Sequence, residues 1–141
     1  MPRQFDKSRE HSRTRRDHAT EVAEDYAEAV AEIVEDSDAC RLSDLAKYFG
    51  VSHVTANKIV ARLVREGLFE TEPYKPIRLT EEGAKIAKRC RERHLIVVNF
   101  LVALGLDEKT AALDAEGIEH HVSQKTLVLF KAFANKKSSQ K

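Results

Sequence analysis

The stretch from Leu42 to Arg78 constrains the fold of this chain more than any other. Residues 42–49 form a short amphipathic run, Gly50 supplies a turn, and residues 52–66 form a second run that begins with a serine. A short helix, a glycine-containing turn and a second helix capped by Ser or Thr make the helix-turn-helix pattern. We therefore predict two helices packed at a fixed angle, the first of them capped by Ser43.

Two short extended segments follow the second helix. Residues 68–72 alternate weakly, residues 73–76 break the chain with two prolines, and residues 77–79 resume an extended run. This pattern predicts a small two-stranded wing. Between Arg41 and Arg78, seven basic residues face four acidic ones, so the block is net positive. We interpret it as a winged-helix DNA-binding module; a helix pair that serves only protein packing is the alternative.

The second helix and the wing carry the side chains expected to bind DNA. Short polar groups near a helix N-terminus reach base edges in a major groove, while lysine and arginine suit phosphates. The predicted DNA-binding residues are Ser52, His53, Thr55, Asn57, Lys58, Arg62, Arg65, Lys75 and Arg78. The residues expected to hold the two helices together are Leu45, Ala46, Val51, Val54, Ile59 and Leu63.

Potential metal ligands occur in three other stretches. Glu116, Glu119 and His120 share one face of a predicted helix, and carboxylates with an imidazole bind divalent cations. A solvated acidic face has the same sequence, so the string alone leaves both interpretations open. Asp25 and Glu28 lie three residues apart on an earlier helix, where two surface acids are the alternative.

His94 lies among apolar residues of a long helix, where a hydrogen-bonded core histidine is the alternative to a ligand. Cys90, one turn earlier, is expected to act as a small buried hydrophobe. The segment 95–106 is apolar almost all round, and a second copy of the chain is its simplest cover. The predicted N-caps of the later helices are Thr80, Asp107 and Ser123.

Size, charge and cysteine content limit the remaining possibilities. The chain has 141 residues, two cysteines and a formal net charge of +1. Two cysteines distant in sequence form neither a disulfide framework nor a Cys-x-x-Cys site, which indicates a reducing compartment. The longest apolar run is too short to cross a membrane, and no apolar segment follows the basic N-terminus. We therefore predict a cytoplasmic protein with no membrane partner.

These patterns predict a mainly α fold, with an N-terminal winged helix-turn-helix followed by a helical region that carries the apolar segment and the possible metal ligands. Residues 1–18 are basic and poor in large apolar side chains, which predicts a mobile arm; whether it contacts DNA or only aids solubility stays open. The expected organisation is an arm at 1–18, a winged-helix domain at 19–85, a dimerisation and metal-binding domain at 86–134, and a tail at 135–141.

The order of these motifs resembles the diphtheria toxin repressor family, and in particular its manganese-responsive regulators. The resemblance rests on Asp25-x-x-Glu28, the winged helix, Arg91-Glu-Arg-His94 and the string Glu-Gly-Ile-Glu-His-His at 116–121, and it covers about residues 21–133. It implies a homodimer that binds a palindromic DNA operator when loaded with manganese and represses manganese-uptake genes. The implied metal ligands are Asp25, Glu28, His94, Glu116, Glu119 and His120.

The chemistry of these residues agrees with the resemblance. Four carboxylates and two imidazoles suit Mn(II), and can hold two ions per subunit. Iron-responsive members of the family use sulfur ligands where this chain has Asp25 and Glu116, which favours manganese. An iron-responsive regulator and a winged-helix regulator that senses a small organic ligand are the alternatives. The chain lacks the repeated Glu-x-x-His pairs of di-metal bundle enzymes, a nucleophile–base pair and a phosphate loop, so we predict no enzyme.

Overall fold

The computed structural model describes residues 7–139, with side chains from residue 15 onward. This part of the chain is helical apart from one two-stranded sheet, which confirms the predicted mainly α fold with an N-terminal winged helix-turn-helix. Residues 1–6 of the expected arm and 140–141 of the expected tail lie outside it. The elements are α1 (Lys7–Ser37), α2 (Leu42–Phe49), α3 (His53–Arg65), β1 (Phe69–Glu70), β2 (Arg78–Leu79), α4 (Glu81–Leu104), α5 (Glu108–Ile118), a 3₁₀ turn (Glu119–His121) and α6 (Gln124–Ser139).

The helix-turn-helix forms where the sequence predicts it. Gly50 ends α2 in the left-handed conformation, with φ at 64°, which glycine adopts without steric cost. The Ser52 hydroxyl then accepts a 3.1 Å hydrogen bond from the Thr55 backbone N–H, so α3 begins with its predicted cap. The turn and the cap together set the direction in which α3 leaves α2.

Three helix boundaries differ from expectation. The cap of α2 is Arg41, not Ser43, because the Asp44 carboxylate reaches back to accept from the Arg41 backbone N–H at 2.9 Å. The first helix begins at Lys7 rather than near residue 19, since no glycine or proline interrupts residues 7–37. For the same reason α6 continues to Ser139, into the segment expected to be a tail.

The wing is short and is attached to the segment before α2. Phe69 pairs with Leu79 and Glu70 pairs with Arg78 in an antiparallel register. An isolated bridge also joins Cys40 to Ile77, just before β2. The wing is therefore bonded both between its own two strands and to the segment before α2. These bonds fix its position beside α3.

Two apolar clusters hold the described chain together. The first packs α1 against α2, α3 and the wing, and buries Leu45, Leu63 and Phe69 almost completely. The second joins the later half of α4 to α5 and α6, around Val97 and Leu127. Because α4 takes part in both clusters, it connects the winged helix to the C-terminal helices.

The predicted apolar segment of α4 is covered on one side only. Phe100 stacks on Phe130 of α6, with ring centroids 3.8 Å apart. Large apolar side chains on α4, α5 and α6 remain exposed, among them Leu95, Leu104, Leu113 and Leu129. A single chain leaves these apolar side chains in water. Within residues 7–139, no helix has the length and hydropathy required to span a membrane.

Gly83, in the first turn of α4, provides a test of this packing. A Cβ at this position would lie 2.1 Å from the Leu68 carbonyl oxygen, and backbone cannot move aside cheaply. We expect Gly83→Ala to lower the free energy of unfolding by about 1–3 kcal/mol, measured by chemical denaturation of metal-free protein.

The matched control is Gly117→Ala in α5, where no described atom lies within 4 Å of the added methyl group. Alanine has the higher helix propensity, so this variant should gain up to about 1 kcal/mol. Equal unfolding midpoints for Gly83→Ala and the unsubstituted protein would contradict the packing described here.

Candidate metal centre and nucleic-acid interface

The six predicted metal ligands lie together where α1, α4 and the end of α5 meet. Glu119 and His120 follow α5 in the 3₁₀ turn rather than within the helix, because α5 ends at Ile118. The turn continues the winding of α5, so the two side chains still face the same side as Glu116. The predicted ligands come from α1 (Asp25 and Glu28), α4 (His94), α5 (Glu116) and the 3₁₀ turn (Glu119 and His120).

Glu119 occupies the middle of the cluster. Its side chain is 1% exposed, and its Oε2 lies 2.6 Å from His94 Nδ1. Its Oε1 lies 3.5 Å from His120 Nε2. His94 Nδ1 also lies 3.7 Å from Oε1 of Glu116, whose side chain is 62% exposed. The cluster therefore extends from the protein interior at Glu119 to solvent at Glu116.

The two acids of α1 join the cluster from the opposite side. Asp25 Oδ1 lies 3.0 Å from His120 Nε2. The Cys90 thiol donates to Glu28 Oε2 at 2.9 Å and lies 3.8 Å from Glu119 Oε1. Ligand atoms of Glu28, Cys90 and Glu119 fit within 4.8 Å of one another. Close contacts among themselves thus connect five of the predicted ligands, and Cys90, the residue expected to be only a small hydrophobe, joins Glu28 to them.

Two further charged residues at the cluster were not selected from the sequence. Glu24 Oε2 lies 2.6 Å from His120 Nδ1, and its Oε1 lies 3.3 Å from Arg93 Nη1. Arg93 also donates to the main-chain oxygen of Glu119. The available signal was the four-residue spacing from Glu24 to Glu28, which places both on one side of a helix.

A buried imidazole nitrogen shows that the cluster suits a cation. The His120 side chain is 2% exposed, and Glu24 occupies its Nδ1. Nε2 lies close to Asp25 but is not aligned for a hydrogen bond with any described residue. An imidazole nitrogen among carboxylate oxygens is a suitable donor set for a divalent cation, so the residues fit such an ion.

Burial and neighbouring charges raise the pKa values of several groups in the cluster, Glu116 and Cys90 among them, and the shifts of Glu119 and His120 bear most on neutral pH. Burial raises the pKa of Glu119 to about 7, and the nearby His94 offsets that effect only in part. Burial alone would lower the pKa of His120, but Asp25 and Glu24 outweigh it and raise this pKa to about 10. Both shifts mean that, without a cation, the folded cluster holds protons more tightly than the unfolded chain does.

The outward face of α3 and the wing form the candidate nucleic-acid interface. All but one of the predicted DNA-binding residues are exposed, namely Ser52, His53, Thr55, Asn57, Lys58, Arg65, Lys75 and Arg78. The wing cations Lys75 and Arg78 lie 2.8 Å and 3.9 Å from Glu72. Exposed pairs of this kind contribute roughly 0–1 kcal/mol, so they leave both cations able to bind phosphate.

Two residues of α3 do not face as expected. Arg62 is half-buried, because its guanidinium donates to the Ala19 carbonyl oxygen of α1 at 3.0 Å and contacts Glu66 at 3.4 Å. The expectation that Arg62 faces outward is therefore wrong. Val54 is 64% exposed instead of packing between the helices. It adds an apolar group, of the kind that contacts thymine methyls, to the face expected to meet bases.

The two shifted pKa values predict how the stability of metal-free protein depends on pH. The Glu119 carboxyl destabilises the fold increasingly as pH rises from its ordinary pKa of 4.5 to about 7. His120 contributes stability that is complete below its ordinary pKa of 6.5 and is lost as pH rises through about 10. We therefore expect the unfolding temperature, in excess chelator, to fall between about pH 6 and about pH 9.

The variant Glu119→Gln removes the carboxyl and serves as the comparison. Its unfolding temperature should fall less steeply over the same interval, because the Glu119 contribution is removed while those of His120 and Glu116 remain. A metal-free protein whose stability is constant or rises with pH would contradict the electrostatics described above.

Two family profiles match nearly the whole described chain. The profile described as the iron dependent repressor N-terminal DNA binding domain matches residues 18–77. The profile described as the iron dependent repressor metal binding and dimerisation domain matches residues 80–138. The first contains the helix-turn-helix and the first strand of the wing, and the second contains the helices that carry His94 and the later predicted ligands.

Individual relatives give the same result. The chain is 43% identical over 119 residues to the transcriptional regulator MntR of Escherichia coli, covering 84% of this chain and 77% of that protein. It is 36% identical over 104 residues to the HTH-type transcriptional regulator MntR of Bacillus subtilis, covering 74% and 73%.

A solved structure shares the fold. The structure described as a manganese-dependent transcriptional repressor in complex with manganese matches with a TM-score of 0.72 and 29% identity, over 80% of this chain. The chain spans about half the length of that structure. The two profiles and these relatives, together with the winged helix-turn-helix fold, show that the chain belongs to the iron-dependent repressor family, also called the diphtheria toxin repressor family, of metal-dependent DNA-binding transcription regulators.

Proposed function

We propose that this chain is a Mn(II)-activated repressor of manganese-uptake genes, which binds palindromic operator DNA as a homodimer. The observation that carries the proposal is the position of the ligand cluster. It joins α1 to α4 and the 3₁₀ turn. On its other side, α1 packs on the reading head, by which we mean α2, α3 and the wing. Relatives described as manganese regulators support the choice of metal.

The proposed ligands suit manganese because most of their donor atoms are carboxylate oxygens. Asp25, Glu28, Glu116 and Glu119 supply those oxygens, and two histidines supply nitrogen. We propose two ions per subunit, since the carboxylates are numerous enough to bridge. When bound, the cations supply positive charge that offsets the mutual repulsion of these acids.

The coupling between metal and DNA follows from the packing of α1. Tyr26 and Val30 of α1 lie in the same apolar cluster as Leu63 of α3. The Arg62 contact to Ala19 adds a polar link between the same two helices. Asp25 and Glu28 therefore hold the reading head in place whenever they are drawn toward α4.

In a homodimer, the positions of the two reading heads determine the affinity for DNA. Two recognition helices bind a palindrome together only when they lie about one DNA turn apart, or a multiple of it. The exposed apolar side chains of α4, α5 and α6 provide the proposed surface for the second copy. Restricting α1 in both copies favours the spacing that binds DNA, which is a shift of population toward the competent state.

The limits of the functional regions are also part of the proposal. We place the DNA-binding domain at residues 19–85 and the dimerisation and metal-binding domain at residues 86–134.

One observation favours a different metal, in place of manganese, as the regulatory signal. The Cys90 thiol lies 2.9 Å from Glu28 and 3.8 Å from Glu119, so a sulfur atom borders the ligand cluster. Sulfur ligands favour softer ions than manganese, Fe(II) among them. An iron-responsive regulator is therefore the second candidate.

Ligand variants test the main proposal. We expect operator binding, measured by fluorescence anisotropy, to rise with Mn(II) in the unsubstituted protein and to lose that rise in Glu116→Ala and His120→Ala. The matched control is His121→Ala, since this neighbouring histidine is half-exposed and its nearest acid is Glu21 at 3.3 Å. The proposal is wrong if Glu116→Ala binds the operator as strongly as the unsubstituted protein does, both with and without Mn(II). Calorimetry that shows no Mn(II) binding would favour a small organic effector.

Metal comparison separates the two candidates. Zn(II) prefers fewer ligands and tetrahedral geometry, so we expect it to bind but to activate less than Mn(II) at matched occupancy. If iron is the signal, Fe(II) without oxygen activates at lower concentration than Mn(II), and Cys90→Ser weakens the iron response alone. If manganese is the signal, Cys90→Ser leaves the Mn(II) response intact.

A further inference from the structure

Glu24 contacts the proposed centre without belonging to the ligand set implied by the family. We infer that Glu24 is a positioning residue: it orients the His120 imidazole through Nδ1 so that Nε2 faces the bound cation. Arg93 holds Glu24 in the required position. This inference rests on the proposed metal centre and assigns a role within it.

The contact between Glu24 and His120 fixes the ring. Glu24 Oε2 lies 2.6 Å from Nδ1, and the His120 side chain is almost completely buried. A carboxylate at Nδ1 favours the form of the ring with hydrogen on that nitrogen and a lone pair on the other. Nε2 lies 3.0 Å from Asp25 Oδ1 and 3.5 Å from Glu119 Oε1. Once a cation displaces the proton from Nε2, the lone pair of that nitrogen therefore faces the oxygens that would share the cation with it.

Arg93 contacts the other carboxylate oxygen of Glu24. Its Nη1 lies 3.3 Å from Glu24 Oε1, and the same guanidinium donates to the main-chain oxygen of Glu119. One side chain of α4 thus connects α1 to the 3₁₀ turn. The pair of Glu24 and Arg93 is neutral as a unit, so Glu24 acts on the centre through geometry and not by adding negative charge.

A direct ligand role for Glu24 is the competing account. Ligand atoms of Glu24, Cys90 and His120 lie within 4.8 Å of one another, which is close enough to surround an ion. The two roles make different demands on the side chain. A ligand must supply a charged oxygen, whereas a positioning residue needs only an oxygen that accepts from Nδ1–H.

Metal affinity in two substitutions distinguishes these roles. Loss of an outer hydrogen-bond partner of a ligating histidine typically weakens metal binding by about 10–100-fold, and we expect that loss in Glu24→Ala. Glu24→Gln keeps an accepting oxygen and should recover most of the affinity. Free Mn(II) is counted by electron paramagnetic resonance, and circular dichroism confirms that each variant is folded.

The matched control is Glu35→Gln. Glu35 pairs with Arg91 at 2.9 Å between the same two helices, but both side chains are exposed and far along the chain from the ligands of α1. This variant should bind Mn(II) as the unsubstituted protein does. An equal loss in Glu35→Gln and Glu24→Ala would mean that any ion pair between α1 and α4 has the same effect, and would overturn the assignment.

A spectroscopic measurement reads the ring directly. In protein loaded with Zn(II), long-range proton–nitrogen spectra of labelled histidine should show His120 metallated at Nε2 and protonated at Nδ1. Glu24→Gln should give the same pattern, and Glu24→Ala a mixture of both ring orientations. Metallation at Nδ1, or unchanged Mn(II) affinity in Glu24→Ala, would overturn the inference.

Two outcomes separate this inference from the function on which it rests. Equal losses in Glu24→Ala and Glu24→Gln would make Glu24 a charged ligand, which rejects the positioning role and keeps the metalloregulator. An unsubstituted protein that does not bind Mn(II) would reject both.

Discussion

The burial of the Glu119 carboxylate is the constraint on which the C-terminal half of the described structure depends. A charged group removed from water must find partners, because the cost of leaving it unpaired is several kcal/mol. Here the partners come from different elements: His94 from α4 contacts one oxygen, and His120 from the same 3₁₀ turn lies near the other. Arg93 binds the main chain of the same residue. The helices thus pack around a polar junction instead of a purely apolar one.

This junction lies where the two apolar clusters of the fold meet. The first cluster contains the winged helix, and the second contains the C-terminal helices. The polar residues of the junction lie between them, and α1 and α4 both contribute to it. Apolar packing within each cluster is indifferent to metal. The contacts between α1 and the 3₁₀ turn, in contrast, are made largely by acids and histidines, so this part of the connection between the two halves depends on charge.

Much of this arrangement was predictable from local patterns. Helical periodicity located every helix, and the predicted caps Ser52, Thr80, Asp107 and Ser123 all accept the expected backbone hydrogen bond. These features depend on neighbours in the sequence. The resemblance to a family supplied the ligand set, and the structure brings its members into contact, although their role as ligands stays a prediction.

What could not be predicted depends on tertiary contacts. Arg62 and Val54 were assigned to the wrong sides of α3. Consecutive residues of a helix are only about 100° apart, so packing against α1 decides which of them face outward. Glu24 and Arg93 were not distinguishable from the many other charged residues of their helices. Only the folded structure shows that they meet across α1, α4 and the turn.

The exposure of Glu116 bears on how quickly such a centre can respond. Its carboxylate is open to solvent, while Glu119 and His120 lie at the bottom of the cluster. An ion held by the proposed ligands would have its outermost protein ligand at the surface, where side chains rotate on the nanosecond scale. Exchange with the surrounding solution would then require no unfolding of the buried part of the cluster, so the occupancy of the proposed site would follow the free concentration of metal as it changes.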